Sequence, residues 1–227
     1  MFSDLKKLAL LGALFVSAQG YAYTEDQSDF GFGVEAIMGI NGGVNCNYDG
    51  AAKIKNPVGG PEVGLALYFR AFKFYIGADG RFEYDAFRSL HKVYSQSILL
   101  NNNVKTDDKD YSEGFSFAYT AAPVIGFDIA KNKSIWFSWN AMDQCHTSAK
   151  LPGSKSSKSV FNMNSVKVAY KWTIAPYFRL HLEYTLRAID SFEVKSEDPK
   201  LSGKIKPESN YSNVFGFKLS IPVEIDL

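Results

Sequence analysis

The sequence predicts an all-β fold, an eight-stranded antiparallel up-and-down transmembrane β-barrel with four long external loops and three short periplasmic turns. Three observations predict it. Eight stretches between Phe30 and Leu227 alternate apolar and polar residues with period two, and the apolar phase of each is free of charge. The linkers between the stretches alternate in length. A secretory leader precedes them all.

The leader comes first. Lys6 and Lys7 precede an apolar run over 8–16, followed by small residues with Gly20 and Ala22 at the minus-three and minus-one positions of a cut. This is the layout of a signal peptide over 1–22, and its apolar core is too short to span a bilayer. Residues 23–29 turn polar and read as a short periplasmic segment, and 30–227 as the barrel.

The apolar phases occupy 30–40, 63–71, 72–84, 115–129, 135–141, 166–174, 178–186 and 215–225. Period two puts one phase on one face of a sheet. Roughly 45 positions lie on that face, and a chain that is 22% charged should place about ten charges there by chance. It places none, so the face suits hydrocarbon. The stretches are also long enough to cross a bilayer, which takes about nine to eleven tilted residues. Closing eight of them on themselves leaves no unpaired edge in lipid.

Long linkers fall at 41–60, 86–113, 143–162 and 190–213, and short ones near 71–72, 130–133 and 173–176. A meander with large loops on one side and tight turns on the other has this asymmetry. Tyr119, Trp139, Trp172, Tyr184 and Tyr211 are candidates for interfacial aromatic girdles. A soluble barrel with its apolar face inward also alternates. Its solvated face would favour Lys, Glu and Thr over the many Gly and Ala found here, and the apolar phase carries more Phe, Tyr and Trp than such a barrel could pack inside.

The opposite phase mixes small residues with charges of both signs. Arg70, Lys73, Arg81, Lys167, Lys171, Arg179, Arg187 and Lys218 share it with Glu35, Glu62, Asp79, Glu83, Asp128, Glu183 and His181. A narrow lumen needs such a set: glycine and alanine where space runs out, and long paired charges elsewhere. The pattern predicts a salt-bridged plug that closes the pore, with a narrow polar passage as the alternative. Cys46 and Cys145 fall in segments read as loops. In an oxidising compartment an even count favours pairing, so a Cys46–Cys145 disulfide is expected to arch from the first loop to the third over the mouth.

Over 30–227 the chain resembles the small outer-membrane β-barrels of Gram-negative bacteria, of the OmpA transmembrane, OmpX and OmpW type. The resemblance lies in the pattern of strands and loops. Such barrels end in an alternating apolar strand with a terminal aromatic that is read by the barrel-assembly machinery. This chain ends Val223, Glu224, Ile225, Asp226, Leu227, which keeps the alternation without the aromatic. The resemblance implies outer-membrane lipid and that machinery as partners.

Catalytic signals are thin. There is no Gly-x-Ser-x-Gly elbow, phosphate loop or His-Glu-x-x-His helix. Gly31-Phe32-Gly33 sits in a strand pattern, where its glycines make room in the lumen. His181 belongs to the polar packing, and His91 and His146 are assigned to loops, so neither an enzyme nor a metal or cofactor is expected. Without the leader's Asp4, Lys6 and Lys7 the formal net charge falls from +1 to zero, which excludes a nucleic-acid role. In the loops, Asp107, Asp108 and Asp110 form an acidic cluster and Lys150, Lys155 and Lys158 a basic one. These loops are the candidate contacts for a host protein, a neighbouring cell or lipopolysaccharide phosphates. The expected role is a monomeric, surface-exposed structural or adhesin-like protein, with a small-solute channel as the alternative.

Overall fold

The computed structural model describes residues 29–49, 52–84, 94–95, 98, 101–102, 112–150, 157–175, 177–207 and 210–227. The leader, His91, the acidic cluster at Asp107, Asp108 and Asp110, and Lys155 lie outside the described residues. The strands are β1 (Phe30–Asp49), β2 (Ala52–Val58), β3 (Pro61–Ala71), β4 (Phe74–Tyr84), β5 (Ser112–Ala130), β6 (Lys133–Lys150), β7 (Ser157–Ala175), β8 (Phe178–Ser196), β9 (Gly203–Ile205) and β10 (Asn210–Asp226), with one 3-10 turn at Pro199–Leu201 before β9.

All pairings are antiparallel. The ladder runs β1-β3-β4-β5-β6-β7-β8-β10, and β10 pairs in turn with β1, from Gly31 opposite Asp226 to Asn47 opposite Asn210. The circuit is therefore closed, and the short strands β2 and β9 extend it alongside the upper parts of β1 and β8. The three tight connections β3–β4, β5–β6 and β7–β8 share one end with Phe30 and Leu227, whose amide donates to the Phe30 carbonyl at 3.0 Å. In the first of these turns Phe72 takes a left-handed φ of 56°.

Two departures from the sequence reading set the height of the molecule. Strands predicted at about nine to fifteen residues run to 20 in β1 and 19 in β5, β7 and β8, so most of the first, third and fourth long linkers is strand. Second, the hydrophobic sidedness reverses along them. Near the short turns the outer face is apolar and exposed, as at Phe74 (67% exposed), Trp139 and Leu65, while charged side chains are buried inside. Above Asn140 in β6 and Ser165 in β7 an apolar cluster enters the interior beside buried polar side chains such as Asp143, Thr147 and Ser159. Cys145, Phe161, Met163, Ile189, Phe192, Val194 and Val214 pack there under Tyr94, Ile98 and Leu201. The outer face at that level carries Gln144, Asn162, Glu193 and Lys195. Bulges between Asn140 and Asp143 in β6, and opposite Met163 in β8, shift the alternation by one residue and keep the apolar side chains turned in.

The upper core is well packed. Phe161 and Phe192 are fully buried with ring centroids 4.5 Å apart, and the Tyr94 ring lies 5.5 and 5.3 Å from theirs. Asn102 donates to the carbonyls of Lys200 (2.8 Å) and Ser202 (3.1 Å), which holds the segment bearing Ile98 against the loop that bears Leu201.

Candidate functional site

The lower interior is filled by a network of ion pairs that joins opposite walls. Glu35 on β1 is its centre, with Lys171 Nζ at 2.6 Å, His181 Nε2 at 3.1 Å, the Ser220 hydroxyl at 2.5 Å and Arg179 Nη1 at 3.7 Å. Arg81 holds three carboxylates, Asp79 at 2.8 Å and Glu62 and Glu183 each at 3.3 Å. Lys167 also reaches Asp79 (2.8 Å) and Lys218 reaches Glu62 (2.9 Å). His181 bridges the two groups, since its Nδ1 stands 3.5 Å from Glu183. Above them Arg187 pairs with Glu83 at 2.9 Å and Asp143 at 3.3 Å.

At the short-turn end the filling changes from charge alone to charge on aromatic rings. Tyr68, Tyr75 and Trp136 pack edge-on or tilted with centroids 4.8–5.6 Å apart. The Lys171 ammonium sits 3.7 Å over the Trp136 ring, a cation–π contact. The Tyr75 hydroxyl donates to Asp128 at 3.0 Å, and Arg179 donates to the Tyr68 oxygen at 2.9 Å. The glycines do make room: a Cβ at Gly33 would lie 2.2 Å from the Tyr68 ring, and one at Gly126 2.8 Å from Trp136.

Of the residues predicted for the lumen, Lys73 is a correction. It is exposed in the β3–β4 turn, because Phe72 and Lys73 form that turn and the inward phase resumes at Tyr75. The Cys46–Cys145 disulfide is a second correction, since both residues are thiols. Cys46 follows Asn45, whose side chain faces in and accepts from Ser212, so Cys46 turns to the outer side of the wall. Cys145 points into the upper core, hydrogen-bonded to Ser116, on a strand separated from β1 by several others in the ladder.

Several network members escaped the sequence reading, among them Asn41, Asp226, Glu224 and Asp143. Glu224 accepts from Arg70 and stands 3.5 Å from Arg179, and Asp143 accepts from Ser165 as well as pairing with Arg187. Glu224 continues the inward phase two steps beyond Ser220, so the signal was present. Asp143 was hidden by the bulge before it. His146 is also not in a loop. It lies on the outer face of β6 between the rings of Phe117 and Tyr119, each 5.4 Å away, and Tyr119 begins a belt of hydrogen bonds through Gln144 and Asn162 to Ser191.

A cavity of about 10 Å³ is bounded by Asp79, Arg81, Ser138, Lys167, Lys171 and Glu183, with Ala66, Val124, Trp136 and Ala169 among its apolar walls. That is about the room one water needs.

No family model matches the chain, and no curated protein matches it. Among solved structures it is similar to Ail, the attachment invasion locus protein of Yersinia pestis, at 11% identity and a TM-score of 0.49, covering 85% of this chain and 99% of that one. It is also similar to Neisserial surface protein A, at 13% identity and a TM-score of 0.42, with 87% and 99% covered. A further similarity is to the outer-membrane protease OmpT of Escherichia coli, at 11% identity and a TM-score of 0.36, with 93% and 100% covered. The resemblance is to outer-membrane β-barrels.

Proposed function

We propose that this protein is a monomeric integral barrel of the Gram-negative outer membrane, delivered by the leader over 1–22, whose closed lumen makes it a surface-exposed structural or interaction protein. The eight circuit strands cross the bilayer, the three tight turns face the periplasm, and the tall hairpins stand outside. The observation that carries this reading is the double filling of the interior. Paired charges occupy the membrane level and an apolar core occupies the level above it. A conducting pore would need a continuous wet path through both.

The outer face supports the membrane assignment. Phe32, Leu65, Ile76, Ile125, Phe137, Val166, Leu186 and Phe217 are all exposed and encircle the barrel, an apolar surface that suits acyl chains. Catalysis forms no part of this reading. What remains for recognition is the outer surface of the tall hairpins and the loops that join them. Single-channel recording in planar bilayers tests the closed lumen. Silence is expected from the wild type, and steady currents from the intact chain would replace this function with that of a small-solute channel.

A further inference from the structure

We propose that the lumen cavity binds one ordered water that joins β4 to β6, and that this water is an integral part of the plug. The inference deepens the closed-lumen reading and rests on it. It starts from an imbalance at Asp79. Oδ2 of this carboxylate accepts from Arg81 Nε at 3.0 Å, Arg81 Nη2 at 2.8 Å and Lys167 Nζ at 2.8 Å. Its other oxygen, Oδ1, is buried with no hydrogen-bond partner among the described residues. The Ser138 hydroxyl is in the same condition. Asp79 is 5% exposed and Ser138 6%, and both bound the cavity.

Two orphaned oxygens on residues that line one small space define the ligand. Leaving a buried carboxylate oxygen bare costs the desolvation of that atom. A donor that can serve both groups recovers it. The space, about 10 Å³, matches a single water and is too small for an organic solute or a hydrated ion. A water there donates one proton to Asp79 Oδ1 and exchanges a hydrogen bond with Ser138, and Lys167 and Lys171 line the same space. The ladder explains why the space exists. Asp79 pairs with Ala122 and Ser138 with Val124, so β5 contributes only small side chains between the two polar ones, and Ala66 and Ala169 close the cavity from the neighbouring strands.

The test is a crystal structure of the full chain in detergent that shows ordered waters, for the wild type, Ser138→Ala and Ala66→Ser. Ala66 stands directly opposite Asp79 in the β3–β4 ladder, so a hydroxyl at 66 can take the water's place without removing any network member. The wild type is expected to show one peak within hydrogen-bond distance of Asp79 Oδ1 and Ser138 Oγ. Ser138→Ala should lose it, and in Ala66→Ser the new hydroxyl should replace it. A dry wild-type cavity overturns the proposal, as does a peak that persists in both variants. Bilayer recordings on the same proteins separate the two readings. A dry cavity with no current defeats the water site alone, one water with steady currents defeats the closed lumen alone, and a file of waters reaching either end with currents defeats both.

Discussion

The lower and upper halves of this barrel are built from the same strands and have opposite interiors. Below, Arg81 lies among Asp79, Glu62 and Glu183, with Leu65, Leu67 and Phe82 outside. Above, Phe161 and Phe192 fill the inside and Asn162, Glu193 and Lys195 face out. Alternation alone is common to both halves. In each half the phase that faces inward is the one whose groups find partners there, ion pairs below and packed apolar side chains above.

The contrast can be broken most severely at Arg81. Arg81→Ala leaves three buried carboxylates short of a cation, and a loss of about 3–5 kcal/mol, or failure to fold, is expected from urea unfolding in lipid vesicles. Phe161→Ala removes the centre of the upper core. Core truncations of this type cost about 3–5 kcal/mol, but here the loss should be confined to the upper half. Protease cleavage and amide exchange should rise in the β6–β7 hairpin while the amides of the lower half stay protected. Loss of protection throughout would show the two halves to be one cooperative unit.

Smaller effects sharpen the boundary. Leu67→Lys puts a charge on the apolar outer face near mid-height and should cost about 2–4 kcal/mol, whereas Val160→Lys, on the outer face of the upper half, should change stability by less than about 0.5 kcal/mol. Equal costs would show that the outer face at Val160 also meets lipid. The smallest expected effect is at Cys145, in the upper core. Burial pushes its thiol up to about 12, so very little of the reactive thiolate forms at pH 8. Maleimide should leave Cys145 unlabelled in the folded protein and label it after unfolding. Rapid labelling of the native chain would show the upper core to be open.

Much of the lower half was legible. Glu35, Asp79, Arg81, Lys167, Lys171, Arg179, His181 and Glu183 stood on a phase that also held glycines, and they do meet in the lumen. The upper half was not legible, for reasons particular to its residues. Asp143-Gln144-Cys145-His146-Thr147-Ser148 has little polarity contrast between its phases, and the bulge at 141–142 shifts its register, so a strand looked like a loop. The expected disulfide failed with it, because the face toward which each cysteine turns depends on strands that had been read as coil. Lys73 was misplaced for a different reason: the apolar phase that starts at Phe72 puts Lys73 on the inward phase, whereas Phe72 and Lys73 form the turn and the strand begins at Phe74.

By itself the sequence determined the strands of the lower half and the side of each strand that avoids charge. These follow from period-two spacing, a local property of a pleated chain. The tertiary structure decided which charge meets which, how far the wall rises beyond the apolar band and where its interior changes from ionic to apolar. Each of these depends on residues far apart in the chain, such as Glu35 with Lys171 or Arg70 with Glu224, and such pairs exist only once the ladder has closed from β10 to β1.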